Sequence, residues 1–263
     1  MNRRLSHFAI LLAVAFSFAI SATAQNGAQS APATPPAAFS PRDLSGVWNA
    51  KIPPNISEEE LIAYISQFGK GNLPMTAWAQ PKYDAAKPSF GPRSVTLDKV
   101  NDPVYKCYPP GVPRVYLHPF PLEIVQTPKE MLMLFEYDHM VRRIFVDGRP
   151  QPADPEPNWL GYSVGHWDDD AMVVYTIGLS DKTWLDRVGH PHSDKMHLTE
   201  RFKRVDAKTL QVDLHIEDPV AFTKPIDSTL YFTLHPDWSI MEQVCMDNIS
   251  FEHFEDGGKP ASK

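Results

Sequence analysis

The chain is short of the residues that announce the commonest chemistries. It has only two cysteines, Cys107 and Cys245. Neither lies in a C-x-x-C pair, so a thiol redox centre or a zinc–thiolate site has no support. Its 13 glycines form neither a phosphate-cradling loop nor a dinucleotide fingerprint, so no nicotinamide or nucleotide cofactor is expected. There is no G-x-S-x-G elbow for a Ser-His-Asp hydrolase and no H-E-x-x-H zinc motif. No block of lysine or arginine occurs, and 25 basic residues stand against 32 acids for a net charge of −7. Such a surface repels phosphate backbones, which argues against nucleic acid as a partner. No repeat with a period of roughly 20–50 residues is present, so a propeller is not expected. Beyond residue 24 no apolar run is long enough to cross a bilayer, so no membrane span is expected.

The first 24 residues read as a secretory signal peptide. Arg3 and Arg4 form a positive start, Phe8 to Ile20 is an apolar run of 13 residues, and Ala22-Thr23-Ala24 is a small-x-small cleavage site. That leader implies a bacterial periplasmic or secreted protein, and its removal takes the net charge to −9. Residues 25–40, "QNGAQSAPATPPAAFS", bury little and read as a flexible linker. One domain is expected over residues 41–254, followed by a disordered tail at 255–263. In an oxidising compartment two cysteines invite a disulfide, with two buried free thiols as the alternative.

Order begins at "DLSGVWNA". In "NISEEELIAYISQFGKG", Ser57 with Glu60 forms a capping box, acids fill the first turn and Gly69 stops the helix. Leu61, Ile62, Ile65 and Phe68 give this helix an apolar face. Proline then breaks the chain, and residues 53–114 read as a helical and irregular wrap. From Leu122 the pattern changes to nine short runs rich in Val, Ile, Thr and aromatics, from "LEIVQT" to "SIMEQVCMD". "WDDDAM" and "VDAKTL" read as hairpin turns. With no long helix between them, the runs describe an all-β, antiparallel up-and-down meander that closes into a barrel and so removes its edges.

Alternation places Glu200 on the same face as Met196, Leu198 and Phe202, hence inward. A buried carboxylate must find a partner or take up a proton. Arg142 shares a face with Met140, Ile144 and Val146 and is a candidate counterpart. The pair reads either as a structural ion pair or as a tuned acid–base group facing a cavity.

"SGVWN" resembles the G-x-W signature of lipocalins and related calycin barrels. In those barrels the tryptophan packs under the floor, usually against an arginine from near the last strand. A second resemblance spans Pro103 to Asn248. "CYPPGVPR", "YDHMVRRIFVDGR", "GYSVGHWDDDAMVV", "TIGLSDKTWLDRVGHPHSDKMHLTERFKR" and "EQVCMDN" look like a large family of exported bacterial proteins. Its D-K-T-W-L-D and G-H-P-H-S blocks occur here together and in order. This resemblance implies fold and compartment, not an activity.

The chemistry concentrates in "DKTWLDRVGHPHSDKMHLTER". His190, His192 and His197, with Asp181, Asp186 or Asp194, are ligand types that zinc accepts, but Pro191 splits the H-x-H pair and no metal is expected. General acid–base work fits better. His190 or His192 would act as acid or base, Asp181 or Asp186 would orient it, and Glu200 would be an interior carboxylate. Trp184, Trp167 and Tyr162 would wall an apolar site, with Arg142 and His139 as further ligand contacts. The expectation is a cofactor-independent lyase, isomerase or hydratase acting on a small hydrophobic or aromatic molecule. Loss of a hydroxymethyl group from a lignin-derived phenolic is one such reaction. A non-catalytic carrier on the same barrel, and a loop that merely shapes and closes the barrel mouth, are the alternatives.

Overall fold

The computed structural model describes residues 39–245. The expected signal peptide, nearly all of the linker and the tail lie outside them. Nine strands close into one barrel in sequence order. They are β1 (Gly46–Ala50), β2 (Leu122–Gln126), β3 (Glu130–Phe135), β4 (Val141–Phe145), β5 (Tyr162–Asp168), β6 (Ala171–Ile177), β7 (His197–Arg204), β8 (Thr209–Glu217) and β9 (Ile226–Leu234). Two short helices, α1 (Glu58–Tyr64) and α2 (Ala79–Ala85), lie in the long β1–β2 connection. The protein is a lipocalin-like all-β barrel.

Local pairing follows the alternation. β5 and β6 pair from Tyr162↔Ile177 to Asp168↔Ala171, and β7 and β8 from His197↔Glu217 to Arg204↔Leu210. Leu198, Glu200, Phe202, Leu210, Val212, Leu214 and Ile216 all turn into the buried interior. The barrel departs from the expected meander in two ways. β4 and β5 run parallel, through Ile144↔Ser163 and Phe145↔Val164. Residues 146–161, with prolines at 150, 152, 155 and 157, form no hairpin. They carry the chain back along the barrel, as a parallel neighbour requires. The expected ninth strand at "SIMEQVCMD" is not formed among the described residues, which end at Cys245. Its described part makes only an isolated bridge, Gln243 to Tyr137. Pro236 and a turn in which Trp238 N–H donates to the His235 carbonyl divert the chain after β9. The closing strand is instead β1, which pairs with both β2 and β9.

β1 also builds the floor. Gly46 has φ +125°, and a Cβ there would lie 2.7 Å from Leu234 Cδ1, so only glycine fits. Trp48 is fully buried, and its Nε1 donates to the Leu44 carbonyl at 2.8 Å. Burying roughly 200 Å² of indole is worth about 5 kcal/mol at most. The arginine over its ring is Arg204, from the end of β7, with Cζ 5.7 Å from the ring centroid. Arg204 Nη1 donates to the Asp43 carbonyl at 2.7 Å and ties the start of the domain to the floor.

The capping box of α1 forms: Glu60 N–H donates to Ser57 Oγ, and Ser57 N–H to Glu60 Oε2 at 2.8 Å. Its expected apolar face is only partly used, because α1 itself buries no residue and Phe68, just beyond it, is the buried anchor. The helix therefore stands off the barrel wall. Cys107 and Cys245 form a disulfide across a sequence separation of 138. It pins the β1–β2 connection to the segment after β9. Among the described residues no helix is long and apolar enough to cross a membrane. A disulfide-bonded barrel of this kind fits an exported protein.

Candidate functional site

Inside the barrel the polar groups form one closed network. Glu200 and Arg142 are an ion pair with side chains at 0% and 1% exposure. Arg142 Nη1 donates to Glu200 Oε1 at 2.9 Å, and Nη2 donates to Oε2. Tyr116 O–H donates to Glu200 Oε1 at 2.7 Å and accepts from Arg142 Nη1 at 2.8 Å. Arg142 Nη2 also reaches Thr176 Oγ1 at 2.7 Å, and Arg142 Nε reaches Ser163 Oγ at 3.3 Å. Burial, then the Glu200 charge, pushes the Tyr116 phenol well above its ordinary range. Burial works against the Arg142 charge, but the Glu200 carboxylate more than offsets it and holds the guanidinium firmly protonated. With both charges paired, the network reads as a specifying core element.

The loop between β6 and β7 lies at the opposite end of the barrel from the Trp48 floor. Asp186 organises it. Its Oδ1 accepts from Val188 N–H at 3.1 Å and His190 N–H at 3.2 Å, and its Oδ2 accepts from His190 Nδ1 at 2.6 Å. A carboxylate accepts, so Nδ1 carries the proton and Nε2 holds the free lone pair. The imidazole is stacked flat on Tyr83 of α2, with centroids 4.5 Å and planes 7° apart. Gly189, φ +97°, lets the loop reach α2, since a Cβ there would lie 2.5 Å from Ala86 Cβ. The result is an Asp–His dyad with a fixed tautomer. His190 Nε2 makes no hydrogen bond to the described residues.

His192 is buried beside it, and its Nδ1–H donates to the Ser193 carbonyl at 3.2 Å. Burial lowers its pKa, against the opposing pull of the Ser193 carbonyl, Asp218 and Asp181. Ser193 is committed elsewhere: its Oγ donates to Asp218 Oδ1 at 2.8 Å and its N–H to Oδ2 at 2.6 Å. Asp218 also accepts from Val220 and Ala221 N–H, so Ser193–Asp218 is a brace between two loops. Asp181 is exposed at the start of the loop. Trp184 is half-buried, bridges to Pro191 and carries the Arg114 guanidinium 5.6 Å from its ring centroid.

The remaining expected wall residues do not gather there. Tyr162 faces outward and packs on Phe145 at 5.4 Å. Trp167 sits at the floor end of β5, with Arg42 5.5 Å above its ring. His139 is exposed in the β3–β4 turn at φ 50°. Three groups invisible to motif reading do gather at the mouth. Arg114 and Asp102 form a buried bidentate pair, with Nη1 to Oδ1 at 2.9 Å. His118 packs on Tyr137 at 4.4 Å. Arg187 donates to the carbonyls of Ile65 and Leu117, both at 3.2 Å.

A groove follows from the stand-off of α1. It has a volume of about 920 Å³ and lies between Ile56, Ala63 and Tyr64 on one side and outward-facing residues of β7–β9, including Arg201 and His215, on the other. Among the described residues no group of three or more His, Cys, Asp or Glu side chains is placed to hold a metal. Comparison with protein-family models, curated proteins and solved structures finds no match for the chain.

Proposed function

We propose that this is a periplasmic or secreted, cofactor-independent acid–base enzyme of lyase, isomerase or hydratase type, acting at the barrel mouth on a small hydrophobic or aromatic molecule. The observation that carries this reading is the Asp186–His190 dyad. Asp186 fixes the tautomer and stabilises the imidazolium, and His190 Nε2 takes or gives the proton. His192, kept neutral by burial, is a second candidate base. Glu200 and Arg142 support the barrel from inside and do not enter the chemistry. Loss of a hydroxymethyl group as formaldehyde from a lignin-derived phenolic suits these parts. A base takes the hydroxyl proton, the carbon–oxygen double bond of formaldehyde forms as the carbon–carbon bond breaks, and the electron pair left on the ring-bearing fragment is taken up by a proton returned to that carbon, so no oxidant is needed. The test is formaldehyde release by the purified, oxidised protein from a panel of hydroxymethyl-bearing phenolic dimers. His190→Gln should lower the rate by roughly 100-fold or more with an unchanged unfolding midpoint. No product from the wild type, or an equal rate from the variant, would sink the reading.

The groove under α1 favours a second reading, a small-ligand carrier, since its volume falls in the range of ligand pockets. A carrier would retain an apolar ligand unchanged, and Tyr64→Trp would block it without affecting any turnover at the mouth.

A further inference from the structure

Among the described residues, the mouth carries a cation without a counter-ion. Arg187 is half-buried, yet no carboxylate among the described residues lies within ion-pair distance of it. Its Nη1 is spent on two backbone carbonyls, while Nε and Nη2 make no hydrogen bond to the described residues. Burial, then the charge of Arg114, works against its protonated state. Arg114 brings a second guanidinium and only one carboxylate, Asp102. His118 feels both charges, its Nε2 is buried and unpartnered, and Arg114 Nε is in the same condition. Among the described residues, two guanidiniums against one carboxylate leave one positive charge without an ion-pair partner in a partly desolvated place. Arg187 Nε and Nη2 are not sealed from solvent, so a small anion can reach them, and a partly desolvated cation attracts one more strongly than a fully hydrated one.

The surroundings say what shape of anion fits. Arg187 lies 4.3 Å over the Phe90 ring, and Arg114 lies over Trp184. Each guanidinium is thus covered on a face; Arg114 spends its Nη groups on Asp102, so the free donor edge is Nε and Nη2 of Arg187. Tyr105, close enough to act on the Arg187 charge, stays 43% exposed.

We propose that Arg187, with Arg114 and His118, forms a binding site for the carboxylate of a small aromatic acid. A carboxylate is planar and accepts two parallel N–H bonds from a guanidinium edge. It carries the single negative charge the cluster lacks, whereas a phosphate dianion would overshoot it. The aromatic rings of Phe90, Trp184 and Tyr105 supply flat apolar surface for the rest of the molecule. The assignment rests on the reading of the barrel mouth as the site, and it narrows the substrate class to aromatic acids.

The experiment is calorimetric titration of the intact, oxidised protein with benzoate, with its neutral isostere benzamide, and with inorganic phosphate. Benzoate should bind one per chain, with benzamide and phosphate weaker by roughly tenfold or more. Added salt should weaken benzoate and leave neutral benzamide unchanged. Arg187→Gln should lose roughly tenfold or more of benzoate affinity, and Arg187→Lys should keep part of it. Absence of benzoate binding, equal binding of benzamide, tighter binding of phosphate, or full affinity in a folded Arg187→Gln would each overturn the assignment. Should Arg187→Gln fail to fold, the benzoate–benzamide comparison on the wild type decides alone. Benzoate binding without turnover of any phenolic would remove the enzyme reading and leave the anion site standing. Turnover that benzoate does not inhibit would remove the anion site and leave the enzyme.

Discussion

Replacing Glu200 and Arg142 singly and together tests the barrel interior most directly. Both side chains are sealed from solvent and bonded to each other. Glu200→Leu strands a guanidinium, which cannot shed its proton, with Ser163, Thr176, Tyr116 and the weak acceptor Met133 Sδ left to receive its hydrogen bonds. That variant should lose about 3–5 kcal/mol. Arg142→Met strands a carboxylate that still accepts from Tyr116, and this group has the escape of taking up a proton. Its loss should be smaller, about 3 kcal/mol at neutral pH, and should shrink as the pH falls. In the double variant no charge remains, and Ser163 and Thr176 still bond each other at 2.9 Å. Only the Tyr116 hydroxyl is left short of partners, a cost of about 1–3 kcal/mol. The double variant should therefore be more stable than Glu200→Leu, with a coupling energy of at least about 3 kcal/mol. Urea unfolding followed by tryptophan fluorescence, with the disulfide intact, measures all four proteins. Losses that add to within about 0.5 kcal/mol would refute a coupled ion pair.

Acid sensitivity should come in part from the mouth. His118 is held well below its ordinary 6.5, first by burial and then by Arg114 and Arg187, and burial likewise lowers His192. The unfolded chain binds more protons than the folded one below 6.5, so this stabilisation is complete above that value and is lost as the pH falls from it toward the depressed folded values. His118→Phe, which keeps the ring against Tyr137, should flatten the dependence of the urea midpoint between neutral and mildly acidic pH; an unchanged slope would contradict it. Removing the disulfide by Cys107→Ser with Cys245→Ser opens a loop with a sequence separation of 138. In the chain-entropy account that costs roughly 5 kcal/mol, seen as a lower urea midpoint that reduction of the wild type reproduces.

The parts of the fold visible in the sequence are those made by neighbours. β7 and β8 meet through a short turn, so alternation alone told which of their residues face inward, Glu200 among them. Barrel closure is not local. β1 is five residues long and separated from β2 by more than 70 residues, and nothing in "GVWNA" names its partners. The direction of β5 depends on how a proline-rich connection travels, which periodicity does not encode. The floor arginine shows the same limit. The G-x-W resemblance implied one near the last strand, but Arg204 comes from β7, because closure of the barrel brings that strand end and β1 to the same floor.

The site divides along the same line. Asp186 and His190 are four residues apart in one loop, so their pairing was among the alternatives the sequence raised. Arg114, His118 and Arg187 arrive from the wrap and the loop, and each is ordinary in its own segment. Their meaning lies in the missing counter-ion, and charge balance is a property of space, not of order along a chain. A net charge of −7 argues against a phosphate polymer that must approach the whole surface. It says little about one small anion entering a partly buried pocket, where the nearest charges dominate. An acidic protein can thus hold an anion, provided its cations converge and its carboxylates stay away, and Asp102 is the only carboxylate paired with either arginine among the described residues. The Arg187 benzoate experiment tests that local balance, which no count of residues foretells.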